Sequence, residues 1–427
     1  MSHGHALHID LDAAIAAEPI KPAARVRRLL WGCVVVGCLT MLLGWLRFNP
    51  SHVWGVFFVN LMMWMGVALG SVITTAIYQI VRAKWSPPLR RIAEANVYFL
   101  PVALLLVLFT YFGKEHLYPW ANAPMPGREW WMHPCFVYLR FTLLLGLLFF
   151  LAIRYVRLSL RSDIGMLREK GQVERYKGWF YKSLIKGWKG SDEEITNIQR
   201  KLSCSAPVLV IVYVIVYSLF SFEMVMSMDT IWFSNMFGGF FFVGNIYMGW
   251  AMTAMLTVYF SDYSSDYRKT VSKYQLWDLG KLTFGFCMLW GYLFFSQYLP
   301  QWYGNLPEET AWLLTRTRGE WRGISYVVFS LCFVVPFIML LSEDVKKNGK
   351  TYASICMLIL IGMWLEKYVI IMPQFFPDYV PLLHGGVLEA GMFLGFLGAY
   401  GLCIQSFMSH FPFIPVSHPM TKGSIDW

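Results

Sequence analysis

The sequence predicts an all-α polytopic membrane protein with ten transmembrane helices. Hydrophobic residues make up 57% of the 427 residues and charged residues only 15%, whereas about a quarter of the residues in a soluble chain are charged. Ten apolar segments are long enough to cross a bilayer, which takes about 20 residues of helix. Basic residues are dense in every second connection between these segments, as expected for a chain that crosses a membrane repeatedly.

Each predicted span is an apolar run bounded by polar connections. In chain order, the spans lie near residues 29–46, 53–81, 92–112, 134–156, 205–227, 235–260, 279–299, 323–341, 352–372 and 384–408. The aromatic content of 18% agrees with Trp and Tyr lining two water–lipid interfaces.

The distribution of Lys and Arg predicts the orientation. With the N-terminus inside, 28 of the 36 basic residues lie on the inner side and 6 on the outer side, and Arg140 and Lys367 fall within spans. Cytoplasmic connections carry such an excess of basic residues. We therefore expect both termini to be cytoplasmic. The net charge of +10 is explained by these connections, so it does not indicate nucleic-acid binding.

Weak internal similarity suggests two related halves. Phe57-Phe-Val-Asn60 in the second span resembles Phe241-Phe-Val-Gly-Asn245 in the sixth. Both spans run in the same direction, so the repeat would be parallel; chance similarity between apolar helices is the alternative. The predicted organisation is an N-terminal cytoplasmic tail (1–28), a peripheral helix (29–52), a four-helix bundle of spans 2–5 (53–230), a bundle of spans 6–9 (231–383), and helix 10 with a cytoplasmic tail (384–427).

The first predicted bundle contains a basic cytoplasmic loop, residues 157–204. The pattern Ser191-Asp-Glu-Glu194 within it is typical of a capping box that begins a short helix. The loop is either a set of amphipathic helices on the anionic inner surface or a solvated connector.

Motifs for metal or cofactor attachment are absent from the sequence. The eight Cys residues are scattered without a C-x-x-C pair or a Cys/His cluster, which argues against iron–sulfur, zinc and c-type haem sites. Gly-rich phosphate loops and H-E-x-x-H are also missing. We predict no catalytic residue, metal or covalent cofactor in this chain, so electron chemistry would use a bound organic carrier or a partner subunit.

Ionisable residues at membrane depth are the main functional candidates, because burying a charge in a bilayer is costly. The candidates for a proton pathway are Glu94, His133, Arg140, Glu223, Asp229, Asp278, Glu366, Lys367, His384 and Glu389. We expect Glu223, Arg140 and Glu366 to form one outer charged cluster, with Asp229 at the surface. The alternative is that the two cations neutralise nearby carboxylates and lock helices together.

A quinone ring needs aromatic cover and a His or carboxylate that accepts a proton. His384, Asp229, Trp232 and Trp364 could form such a pocket on the outer side. Membership of the interfacial aromatic belt is the alternative for both Trp residues.

Two blocks of sequence resemble a known family. Asp278-Leu-Gly-Lys281 with Phe295-Ser-Gln-Tyr298, and Trp302-Tyr-Gly-Asn-Leu-Pro-Glu-Glu-Thr310, are similar to the second NrfD-like membrane subunit of bacterial alternative complex III. Met226-Ser-Met-Asp229 with Trp232-Phe-Ser234 matches the same subunit. The resemblance spans roughly residues 30 to 415.

The resemblance implies the NrfD/PsrC-like fold and a bacterial inner-membrane respiratory complex. In that family, quinol is oxidised at the periplasmic side, and electrons pass through iron–sulfur, multihaem and monohaem cytochrome c subunits to cytochrome c or a terminal oxidase. The haems and iron–sulfur clusters lie in those partners, and a paralogous NrfD-like subunit carries the better-assigned quinol site. Quinone or menaquinone is the ligand implied for the membrane subunits.

The proton-pathway residues of the family carry over best to Glu223, Asp229, Asp278 and His384. Thr230-Ile231 departs from the commoner Pro-His after the Asp, which weakens a quinone role for this turn more than a proton role. Two other classes of function remain open on the sequence, a stand-alone secondary transporter and a structural anchor for partner subunits.

Overall fold

The computed structural model describes residues 19–20, 23–172 and 179–417, except for the side chains of residues 179, 180 and 192. Within this part of the chain, the regular secondary structure is entirely helical. Most of the predicted N-terminal tail, residues 173–178 of the predicted basic loop and residues 418–427 of the predicted C-terminal tail lie outside the described residues.

Ten helices in the described residues are long enough and apolar enough to cross a membrane, which confirms the predicted class and the number of spans. We label them α1 to α10. Their bounds are Ala24–Arg47, Pro50–Ile80, Pro87–Leu117, Pro134–Glu169, Glu193–Met228, Phe237–Tyr263, Lys273–Gly304, Trp321–Leu341, Gly349–Gln374 and Val387–His410.

Because successive spans alternate in direction, the start of α1, the end of α2 and the end of α10 share one side of the molecule. We call this side the N-terminal face and the other the opposite face. Contacts between sequence-distant ends agree with this assignment. Arg90 near the start of α3 donates a hydrogen bond to Gln79 near the end of α2, and Ser417, after α10, bonds Asp163 near the end of α4.

The helices extend beyond several predicted boundaries. Helix α4 continues to Glu169 and α5 begins by Glu193, so helix occupies much of the predicted loop 157–204. Leu160, Ile164 and Leu167 are buried at helical spacing. This end of α4 therefore packs against protein, which an apolar-window prediction misses because polar residues interrupt the run.

Helix α2 lies at the centre of the structure. Its apolar window is completely buried, and it contacts α3, α5, α6, α9 and α10. At the α2–α6 contact, a Cβ atom built on Gly70 or Gly249 would collide with the backbone of the other helix. Small residues allow such close approach between membrane helices. The two helices that carry the similar sequence segments are thus direct neighbours.

The remaining contacts define two groups of neighbours and one pair. Helices α2 to α5 contact one another around a ring, and α6 to α9 do the same. Helix α1 packs mainly against α10, with Gly37 against Gly395, and most of its other side chains are exposed.

Candidate functional site

Glu223 lies in a turn of π-helix, Ser221–Val225, near the end of α5 on the opposite face. Its carboxylate forms an ion pair with Arg140 of α4 and accepts a 3.1 Å hydrogen bond from Trp131 Nε1. The Arg140 guanidinium lies 4.1 Å from the centre of the Trp131 ring. Single π turns often occur at functional sites. Here the Glu223 carboxylate ties α5 to α4 through Arg140 and to the segment before α4 through Trp131.

The expectation that Glu366 joins this cluster is wrong. Glu366 and Lys367 lie on α9, and Lys367 Nζ is 2.7 Å from Glu366 Oε2. Both side chains are buried, and Lys367 is completely inaccessible. Glu366 Oε1 accepts a 3.2 Å hydrogen bond from Trp290 Nε1 of α7, and Lys367 lies 4.2 Å from the Phe241 ring of α6. These contacts turn Glu366 toward α7 and away from the α4–α5 pair.

A cavity of about 110 Å³ reaches Glu366 from the opposite face. Its lining is mainly aromatic and aliphatic, with three amide or guanidinium groups. It includes Trp232, Phe240, Trp290, Phe294, Gln297, Gln301, Trp312, Arg316 and Glu366. The rings of Trp232 and Trp312 stack with centroids 4.0 Å apart. The cavity therefore places stacked aromatic rings beside a buried carboxylate.

Arg316 is the cation of this cavity and is not among the predicted site residues. It lies on the short helix Pro307–Thr317 and is buried. Its guanidinium donates to the carbonyl oxygens of Val369 at 2.9 Å and Ile370 at 2.8 Å. Burial lowers the pKa of Arg316 to about 9, and Asp229 acts in the opposite direction. The guanidinium satisfies carbonyl groups near the end of α9.

Asp229 closes the turn between α5 and α6. Its Oδ1 accepts hydrogen bonds from the backbone N–H groups of Ile231 at 2.9 Å and Trp232 at 3.0 Å. Its Oδ2 accepts from Gln374 at 3.2 Å. The side chain is partly buried, so Asp229 both caps its own turn and links it to the end of α9.

The four predicted quinone-binding residues do not share one pocket. Trp232 lines the cavity at Glu366, whereas Trp364 donates a 3.0 Å hydrogen bond to Asn60 of α2. His384 is exposed because α10 begins only at Val387, and its Nδ1 bonds the Val380 carbonyl at 3.0 Å. His133 is also exposed, immediately before α4.

Glu389 belongs to a separate buried cluster. The cluster also contains His52, which is not among the predicted site residues. His52 Nε2 donates to Glu389 Oε1 at 2.8 Å, and the Tyr368 hydroxyl donates to the same oxygen at 2.9 Å. The cluster joins α2, α9 and α10. The predicted second span begins near residue 53, just after His52, whereas α2 begins at Pro50 behind an Asn49 cap. The Asn-Pro pair was the available signal for this earlier start.

Glu94 lies in a four-charge cluster at the N-terminal face. Arg91 forms ion pairs with both Glu94 and Asp163, and Arg90 Nε donates to Glu94 at 3.1 Å. All four side chains are buried, and the charges balance. Arg90 and Arg91 precede the predicted third span, which begins near residue 92, whereas α3 begins at Pro87. Asp163 follows the predicted fourth span, which ends near residue 156, whereas α4 continues to Glu169.

Asp278 is the first of several widely spaced polar groups on α7 and on the helices that pack against it. One carboxylate oxygen pairs with Lys281, which is half exposed. The other, Oδ2, is buried and has no hydrogen-bond partner within the described residues. Lys346 packs beside this pair against Gly280. Its pKa is lowered first by burial and then by Lys281.

Further along α7, Thr283 and Tyr352 of α9 share a 2.6 Å hydrogen bond. Tyr247 of α6 donates a 3.1 Å hydrogen bond to the Cys332 carbonyl, which lies in a second π turn, Ser330–Val334 of α8. A π turn leaves carbonyl groups open to such donors.

These features define an integral membrane protein with ten candidate spans and several separate clusters of buried ionisable groups. Within the described residues, no group of three or more His, Cys, Asp or Glu side chains could hold a metal ion. No family model and no curated protein matches the sequence.

Proposed function

We propose that this chain is a membrane subunit of a quinol-oxidising respiratory complex and that α6 to α9 conduct protons within it. The complex would be a bacterial alternative complex III, in which this chain is the second NrfD-like subunit. Its partners would be the paralogous NrfD-like subunit, the iron–sulfur subunit and the multihaem and monohaem cytochromes c. The complex would act as a quinol:cytochrome c oxidoreductase of the inner membrane and could pass electrons to a terminal oxidase. Both termini of the chain would be cytoplasmic.

The observation that carries the proton role is the buried Glu366–Lys367 pair beside the cavity. A carboxylate at membrane depth is a functional candidate by default, and this one lines a cavity together with residues of the opposite face. Within the described residues, its ion pair is with the adjacent Lys on the same helix, so the pair does not link two helices as Arg140 and Glu223 do.

The polar groups of α6 to α9 support a path that leads from Asp278 to Glu366. Asp278 and Trp290 are twelve residues apart on α7, which corresponds to about 18 Å along the helix. Between them lie the Thr283–Tyr352 hydrogen bond and the Tyr247 hydroxyl at the π turn of α8. Water would have to bridge the intervals between these groups.

In α2 to α5, the contacts favour the structural role instead. Glu94 is bonded to two Arg residues and Glu223 to one, each in a fixed geometry. Such pairs hold neighbouring helices together. We therefore propose two four-helix bundles with different roles, α2–α5 as a rigid half and α6–α9 as the conducting half.

The cavity is also the place in this chain where a quinone ring would fit. Trp232, Trp290 and Trp312 would cover the ring, and Glu366 is placed to accept a proton from a quinol hydroxyl. This arrangement replaces the pocket expected from His384, Asp229 and Trp364.

Purification from native membranes tests the assignment to a complex. We expect iron–sulfur and multihaem cytochrome subunits to co-purify with this chain. Recovery of an active single-chain transporter would reject the proposal.

Measurement of protons moved per electron in the intact complex tests the path. Glu366→Gln and Asp278→Asn should each lower this ratio while the complex still assembles. The matched control is Glu343→Gln, an exposed carboxylate on a short helix at the N-terminal face. Unchanged coupling in both path variants would leave only the anchoring role.

A further inference from the structure

A groove between α1, α3 and α10 opens at the N-terminal face. Its first part is a cavity of about 510 Å³. The polar side chains around this cavity are Arg27, Tyr98, Gln405, Ser406, Ser409 and His410. Trp31 lies one helical turn from Arg27 on the same lining. Trp at this depth is typical of the boundary between headgroups and hydrocarbon.

The groove continues toward the middle of the protein as an apolar cavity of about 330 Å³. Val34 and Ala399 line both cavities, so the two are adjoining. The second cavity is lined only by apolar or small side chains, among them Met41, Phe57, Leu106, Phe109 and Phe396. From Arg27 to Met41, the groove runs about 21 Å along α1. This length exceeds half of the roughly 30 Å hydrocarbon core.

The polar end of the groove is positively charged. Arg25, Arg27 and Arg28 occupy the first turn of α1, and none forms an ion pair within the described residues. Among the described residues, no acidic side chain lines this cavity. A ligand that satisfies this end should therefore be an anion.

We infer that the groove binds one anionic phospholipid. The phosphate diester would lie against Arg27 and the Ser406 and Ser409 hydroxyls, and an acyl chain would follow α1 and α10 into the apolar cavity. A free phosphate would leave the apolar half unused, and a zwitterionic lipid would bring its own cation close to Arg25, Arg27 and Arg28. The inference is independent of the proposed respiratory function.

Native mass spectrometry of the purified full-length chain can test this site. We would titrate dioleoylphosphatidylglycerol, dioleoylphosphatidylcholine and, as a soluble phosphate ester without acyl chains, glycerol 3-phosphate. We expect one phosphatidylglycerol to bind at least five-fold more tightly than phosphatidylcholine, and glycerol 3-phosphate not to displace it. Arg27→Gln should weaken phosphatidylglycerol about five-fold, since a basic residue near a membrane surface contributes about 1 kcal/mol.

Two matched controls separate the groove from general lipid association. Arg47→Gln removes an exposed Arg from the other end of α1 and should not change binding. Ala399→Phe fills the junction of the two cavities and should abolish tight binding, whereas Ala390→Phe adds the same ring at an exposed position of α10 and should not.

Three results would overturn the inference. Equal retention of the two lipids would show that the site does not select for an anionic headgroup. Equal effects of Arg27→Gln and Arg47→Gln would show that the lipid does not bind in this groove. Displacement of the lipid by glycerol 3-phosphate would indicate a site for a free phosphate.

Discussion

Replacing Arg91 by Met should strongly destabilise the protein, because Arg91 holds two buried carboxylates. It pairs with Glu94 of α3 and with Asp163 of α4, and all three side chains are inaccessible. Removing one partner of a buried ion pair costs about 3–5 kcal/mol, because the other charge stays buried without compensation.

The surroundings place the expected cost at the lower end of that range. Glu94 keeps its hydrogen bond from Arg90 at 3.1 Å, and Asp163 keeps the one from the Ser417 backbone N–H at 2.9 Å. We therefore expect Arg91→Met to lower the free energy of unfolding by about 3 kcal/mol. Neutralising Asp163 as well should recover part of this loss, with a coupling free energy of at least about 1 kcal/mol.

The assay is unfolding of the purified chain in mixed micelles, followed by tryptophan fluorescence, for Arg91→Met, Asp163→Asn and the double variant. Arg154→Met serves as the control, because Arg154 is an exposed residue of the same helix α4 and should change stability by no more than about 0.5 kcal/mol. Additive effects of Arg91→Met and Asp163→Asn would refute the reasoning, as would a cost for Arg91→Met equal to that of the control.

Three further variants test other contacts. Gly249→Leu should prevent close packing of α2 and α6, whose backbones meet there, and should reduce the yield of monodisperse protein; Gly285→Leu, at an open position of α7, should not. His52→Phe should lower the free energy of unfolding by about 1.5–3 kcal/mol, which is the contribution of a hydrogen bond to a charged group. An equal loss when His52→Phe is made in a Glu389→Gln background would contradict a direct interaction between His52 and Glu389. Asp229→Ala removes two backbone caps and should cost about 1–2 kcal/mol in the same unfolding assay, whereas Asp229→Asn, which keeps the side-chain oxygen, should cost less.

Charge counting on the sequence could not assign partners to the buried ionisable residues. It correctly paired Arg140 with Glu223, two residues on consecutive spans. It grouped Glu366 with them, although the contacts of α9 turn that side chain toward Trp290 and the cavity. Hydropathy placed Arg90, Arg91 and Asp163 in loops, because an average over a window of residues cannot detect a buried helix end that is polar.

By itself, the sequence determined the class of this protein and its ten spans. In hydrocarbon, a long apolar segment can form all its backbone hydrogen bonds only as a helix or within a closed barrel. Length and hydropathy are therefore sufficient to predict the spans. Only the tertiary structure decided which carboxylates are locked in ion pairs, which one faces a cavity, and how His52 meets Glu389 across 337 positions of the chain. The reason is that hydropathy acts on each segment locally, whereas partner choice depends on the rotation and depth at which separate helices pack.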